Sequence, residues 1–197
     1  MDLLTGTGLA ASAGLNAYIP LLALGLLDRY SSLVDLGPGF AWLSEGWVLI
    51  VLALLLALEL VADKIPAIDS VNDTVQTLVR PTAGGIVFGS SSVSGIVGLG
   101  TQEAAPASSP GTWLSIMVGI VIALIVHLLK AAARPIINSF SAGLGAPLTS
   151  SLEDATALAL VLAAIFLPIL VLGFLIFFLG ILAQLLLRRR ARTKPPA

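Results

Sequence analysis

Glu59-Leu60-Val61-Ala62-Asp63-Lys64-Ile65-Pro66-Ala67-Ile68-Asp69-Ser70-Val71-Asn72-Asp73-Thr74-Val75-Gln76-Thr77-Leu78-Val79-Arg80-Pro81 is the stretch on which the reading of this chain turns. Helical spacing places Asp69, Asp73, Gln76 and Arg80 on one face. Some sixty residues later His127, Lys130, Arg134 and Asn138 form a second polar stripe at the same spacing. Both stripes sit beside long runs that carry no charge. Charge next to a bilayer costs free energy unless it is paired, solvated or used.

Working outward, uncharged runs extend over residues 3–27, 82–102, 112–126, 135–152 and 155–187. A membrane span needs about 20 mostly apolar residues, so several of these are long enough to cross. Residues 47–62, interrupted only by Glu59, add another candidate. Over the 197 residues, 57% are hydrophobic and 11% charged, against roughly 25% charged in soluble domains. The expected fold is an all-α polytopic transmembrane bundle of about six hydrophobic segments, with 135–148 short or re-entrant. A single integral membrane domain over 1–187 leaves 188–197 as a basic cytoplasmic tail. With no cysteine, disulfides, thiolate ligands and cysteine nucleophiles are excluded. The N-terminus has no basic leader or cleavage site of a signal peptide.

Within the first run, Asn16 and Pro20 predict a polar, kinked helix, and small residues from Gly6 to Ala17 predict close helix approach. Gly37-Pro38-Gly39 reads as a turn. Pro66 ends the second span, Ser70 to Asp73 fits a capping box, and Arg80-Pro81 opens a third span containing Gly85 and Gly89. Arg134-Pro135 repeats that corner, and Ser150 to Glu153 repeats the capping box. The lysines and arginines of 63–81, 130–134 and the tail then lie inside with six segments, N-in and C-in, leaving only Arg29 outside. Five spans with 135–148 re-entrant put either the tail or both Arg-Pro loops outside. Ser12-Ala13-Gly14-Leu15-Asn16-Ala17 recurs as Ser141-Ala142-Gly143-Leu144-Gly145-Ala146, consistent with an internal repeat.

The polar residues carry two readings. In one, the stripes pair and fix two corners, with Lys130 and Arg134 snorkelling to the interface. In the other, they line a vestibule for an ion, a proton or an anionic headgroup. The candidate ion, proton or substrate site is Glu59, Asp63, Asp69, Asp73 and Asn16. Glu59 leads because a carboxyl in low dielectric is suited to proton exchange. Candidate anion or headgroup contacts are Arg80, His127, Lys130, Arg134 and Asn138, since Arg80 and Arg134 would precede helix N-termini. Glu59, Asp63, Asp69 and Asp73 would suit magnesium or calcium, but Asp69 and Asp73 already have capping roles, so no metal or cofactor is expected. A single histidine excludes the two-histidine zinc helix. No nucleophile elbow or phosphate loop occurs, so no enzyme activity is expected.

Gly14-Leu15-Asn16-Ala17-Tyr18-Ile19-Pro20-Leu21-Leu22, Glu59 to Pro66, Asp69 to Asp73 and Gln76 to Pro81 resemble a bacterial family of small multi-pass membrane proteins, the domain of unknown function 4126. The resemblance covers most of the chain up to about Leu187. It implies an integral membrane protein with no assigned chemistry. The function that fits best is transporter- or channel-like, in an inner membrane, with its polar site near the cytoplasmic end. The alternatives are a scaffold or assembly factor and, last, a lipid-headgroup enzyme. Expected partners are the bilayer, an anionic lipid or small ion, and further copies of the chain through small-residue faces, but no nucleic acid.

Overall fold

The computed structural model describes residues 2–64, 66–93, 110–141 and 145–167, with 173, 176–178, 180, 181 and 184. These residues form helices, and no strand is found among them. The helices are α1 (Asp2–Leu15), α2 (Tyr18–Tyr30), α3 (Gly37–Phe40), α4 (Gly46–Ala62), α5 (Pro66–Val93), α6 (Pro110–Ser141) and α7 (Gly145–Phe166), with a 3-10 turn at Ala41–Ser44 between α3 and α4. The candidate over 47–62 falls within α4. Pro110–Arg134 and Pro147–Phe166 are long and apolar enough to cross a membrane, while Leu3–Leu15 and Gly46–Ala62 are shorter apolar helices.

The expected kinked span over 3–27 is instead two helices folded back on each other. The break falls at Asn16. Its Oδ1 accepts from the N–H groups of Tyr18 and Ile19, at 3.1 and 3.2 Å, donors that lack intrahelical partners at the start of α2. An asparagine that serves these donors favours a new helix start over continuation of the old one. α1 runs antiparallel to α7: Thr5 Oγ1 donates to Ala164 O, Ser12 Oγ to Ala157 O, and Asn16 Nδ2 to Asp154 Oδ1. α2 then returns beside α4. Gly25 lies against Leu43 and Leu49, and Arg29 Nη1 donates to Ser44 O at 2.8 Å. The beginning of α1, the end of α2 and the beginning of α4 therefore share one end of the bundle, with Lys64 at the other. An N-terminus on the same face as 63–81 does not fit this path.

Both Arg-Pro corners are also corrected. Pro81 lies inside the continuous α5, and Pro135 inside α6. A proline removes one donor from the ladder, yet helices in a bundle can carry prolines where neighbouring groups satisfy the freed backbone. The two predicted capping boxes likewise fall in helix interiors, after the starts at Pro66 and Gly145. Of the expected segment 135–148, the described residues belong to its neighbours: 135–141 continue α6 and 145–148 open α7. α6 ends at Ser141, α7 begins at Gly145, and Glu153 returns to within 2.9 Å of both Lys130 and Arg134.

α5 and α6 pack antiparallel through small residues. A Cβ on Gly84 would collide with Ala123 and with Gly119 O, and Gly119 faces the Gly84 carbonyl in turn. Gly85 and Gly89 meet Ile116 and Ile120, and Gly14 meets Ala123 and Val126. The faces expected to bind further copies are therefore filled by this chain's own helices. Leu9, Ala13, Leu21, Leu24, Val87, Ala123 and Val161 form the core between α1, α2, α5, α6 and α7.

Candidate functional site

Where the α1–α2 break meets the bundle, α4, α5, α6 and α7 contribute a layer of charged side chains. Arg80 is fully buried and lies one turn before the α5–α6 glycine contact. Its Nη2 donates to Glu59 Oε1 at 2.9 Å, and its Nη1 lies 3.1 Å from His127 Nδ1. A guanidinium has only donors, so Nδ1 accepts and the imidazole proton sits on Nε2. Nε2 faces Thr77 Oγ1 at 3.0 Å, and that hydroxyl donates onward to Asp73 O. His127 is thus neutral in this arrangement.

Lys130 and Arg134 hold the other half of the layer. Lys130 Nζ is 2.9 Å from Glu153 Oε2, 3.6 Å from Asp63 Oδ2, and donates to Leu15 O at 3.0 Å. The last contact satisfies a carbonyl at the end of α1, where intrahelical donors run out. Arg134 Nη2 reaches Glu153 Oε2 at 2.9 Å and Asp63 Oδ2 at 3.3 Å, and Nη1 reaches Asp73 Oδ2 at 3.4 Å. Asp63 Oδ1 accepts from Asn72 Nδ2 at 2.7 Å. Burial works against the ionised Asp63 carboxylate, but Lys130, Arg134, Arg80 and the Asn72 amide outweigh it and hold the group below its ordinary range. Such pairs are close to neutral in net stability, because desolvation offsets attraction, but removing one member leaves a buried charge uncompensated.

Among the described residues, the structure brings together Glu59, Asp63, Asp73, Arg80, His127, Lys130 and Arg134 of the predicted site. Asn16 joins at the edge through Asp154 and the neighbouring Leu15 carbonyl. The side chains of Asp69 and Asn138 lie outside the described residues. The anion-binding geometry expected of Arg80 and Arg134 is absent: neither precedes a helix N-terminus, and both face carboxylates. Among the described residues no three His, Cys, Asp or Glu side chains converge as metal ligands would; the Asp63 and Asp73 oxygens face cations instead.

Glu153 and Asp154 were missed because the six-span layout put them on the opposite face. Their signal is in the sequence: they are the only charged residues between Arg134 and Arg188. Four buried oxygens in the layer have no hydrogen-bond partner among the described residues, Glu59 Oε2, Asp73 Oδ1, Gln76 Oε1 and Asp154 Oδ2. Asp154 also lies on the wall of a cavity of about 390 Å³, lined otherwise by aliphatic side chains of α2, α4 and α7 such as Ile19, Leu26, Leu56 and Leu158.

The family model described as Domain of unknown function (DUF4126) matches residues 3–188. The chain belongs to this family. The match takes in every residue of the charged layer, and the family description names no chemistry. No curated protein and no solved structure matches the chain.

Proposed function

We propose that the protein is a multi-pass inner-membrane protein of transporter- or channel-like function, with the charged layer as its working site. The observation that carries this reading is the break at Asn16, where one helix ends and another begins against buried ion pairs. Discontinuous helices whose ends meet ionisable groups inside the bundle are a recurrent way of building ion and substrate sites in transporters. The surroundings of the layer support a bilayer setting. Beside Glu59 and Asp63 lie exposed Leu58 and Val61; beside Gln76 and Arg80, exposed Val75 and Leu78; beside His127 and Glu153, exposed Leu128 and Leu152. A charged interior with an aliphatic exterior at one level suits hydrocarbon outside and a polar function within.

In this reading the Lys64 end and the basic tail face the cytoplasm, by the cation rule, and the start of α1 faces away. Glu59 and Asp63 handle a proton or cation, while Arg80, Lys130 and Arg134 balance the charge. The test is flux in proteoliposomes of purified protein, followed with dyes for protons, sodium and potassium, beside Glu59→Gln and Asn16→Ala. The reading expects wild-type flux that Glu59→Gln abolishes at unchanged folding. No flux of any of these ions, or equal flux in folded Glu59→Gln, would remove it.

A further inference from the structure

We infer that the charged layer is a proton-binding site, with protons resident on Glu59 and Asp154. The first observation is the charge balance. Among the described side chains of the layer, five carboxylates (Glu59, Asp63, Asp73, Glu153 and Asp154) face three cations, Arg80, Lys130 and Arg134. His127 adds no charge, because Arg80 occupies its Nδ1. Lys64 is exposed and donates to Leu60 O, so although it acts on Asp154 its charge is solvated and it forms no ion pair with the layer among the described residues. Two negative charges remain without a counter-ion, and each uncompensated buried charge costs several kcal/mol.

The second observation says where the protons sit. Glu59 is 2% exposed, and among the described residues only its Oε1 is bonded, with no partner at Oε2. Gln76, equally buried on the facing α5, has an Oε1 that also lacks a donor. A carboxylate oxygen has no proton to donate, whereas a carboxylic acid has a hydroxyl. Asp154 repeats the pattern: Asn16 bonds Oδ1, and Oδ2 has no partner. Glu59 has one cation within 4 Å, Arg80, and Asp154 has none among the described residues, whereas Asp73 and Glu153 each have two and Asp63 has three; Asp73 Oδ1, which also lacks a hydrogen bond, still lies 3.9 Å from Arg80 Nη1. The groups acting on Glu59 are Arg80 from α5, Lys130 from α6 and Asp63 beyond its own helix, with Tyr18 of α2 close by. Those acting on Asp154 are Asn16 from α1, Lys130 from α6, and Asp63 and Lys64 after α4. In each case one O–H bond forms on a carboxylate, with the proton taken from water, and the layer reaches charge balance.

The inference rests on the reading of this layer as the working site and names its ion. Infrared spectroscopy of the wild-type protein in sodium-free nanodiscs at neutral pH reads the occupancy without any flux. The expected result is a protonated-carboxyl carbonyl band that shifts in heavy water, losing one component in Glu59→Gln and another in Asp154→Asn. Absence of the band in wild type overturns the inference, as does disappearance of the band when sodium is added, which would make the site one for a metal cation. If either variant fails to fold, the wild-type band and its response to sodium still decide. A band without flux in liposomes would leave the inference and remove the transport reading; flux without a band would do the reverse.

Discussion

Arg80 holds α4 and α6 to α5 from a fully buried position. Arg80→Ala should cost about 3–5 kcal/mol, since it takes a buried cation from Asp63 and Asp73 and the donor from Glu59 Oε1 and His127 Nδ1. Arg29→Ala, at an exposed residue, should cost under about 1 kcal/mol. Thermal unfolding in detergent compares the two; equal small effects would mean the layer is solvated. Asn16→Ala removes the acceptor for the first α2 donors and the Asp154 contact, so a loss of about 1–2 kcal/mol is expected in the same assay. Asp63 sets an acid limit. Its carboxyl is held below the ordinary range, so its contribution is complete above the unfolded-state value and is lost as pH falls through the folded one. Stability should therefore drop on acidification, and Asp63→Asn should flatten that drop; an unchanged acid profile would contradict the pairing. At this scale the sequence was informative: residues at helical spacing in both stripes do face one another. Glu153 and Asp154 were hidden because their partners depend on which way the chain turns after Arg134.

Helices α5 and α6 approach as closely as their glycines allow. Gly84→Ala should therefore lower stability by about 1–3 kcal/mol through overpacking, because its Cβ would collide with Ala123. Gly173→Ala meets nothing within 4 Å and should leave the unfolding temperature unchanged. Equal effects would argue against the α5–α6 contact. The apolar runs located α4 and most of α6 and α7, and the small-residue spacing correctly marked close-packed faces. What the spacing could not tell is whether such a face meets another copy or this chain's own helix, since both need the same small side chains. Proline misled for a related reason. Pro81 and Pro135 each remove a backbone donor, and only packing decides whether the helix ends or continues.

For the whole molecule, α1 and α2 form a hairpin whose tip touches the charged layer, and α6 and α7 run antiparallel, joined across that layer by Glu153 with Lys130 and Arg134. The first copy of the repeated Ser-Ala-Gly-Leu motif closes α1 where the chain reverses; of the second, Ser141 ends α6 and residues 142–144 lie outside the described residues. An apolar run of 25 residues suits both a through-going span and a folded pair; the difference rests on Asn16 finding Asp154, some 138 residues away. The most direct test of this arrangement is sided thiol labelling in sealed vesicles, using a chain that has no cysteine of its own. Single cysteines at Leu3, Ser32 and Lys64 are all at exposed positions. The account predicts that Leu3→Cys and Ser32→Cys react from one side and Lys64→Cys from the other. Labelling of Leu3→Cys and Ser32→Cys from opposite sides would mean that residues 3–27 cross the membrane, and would contradict the hairpin and the site built on it.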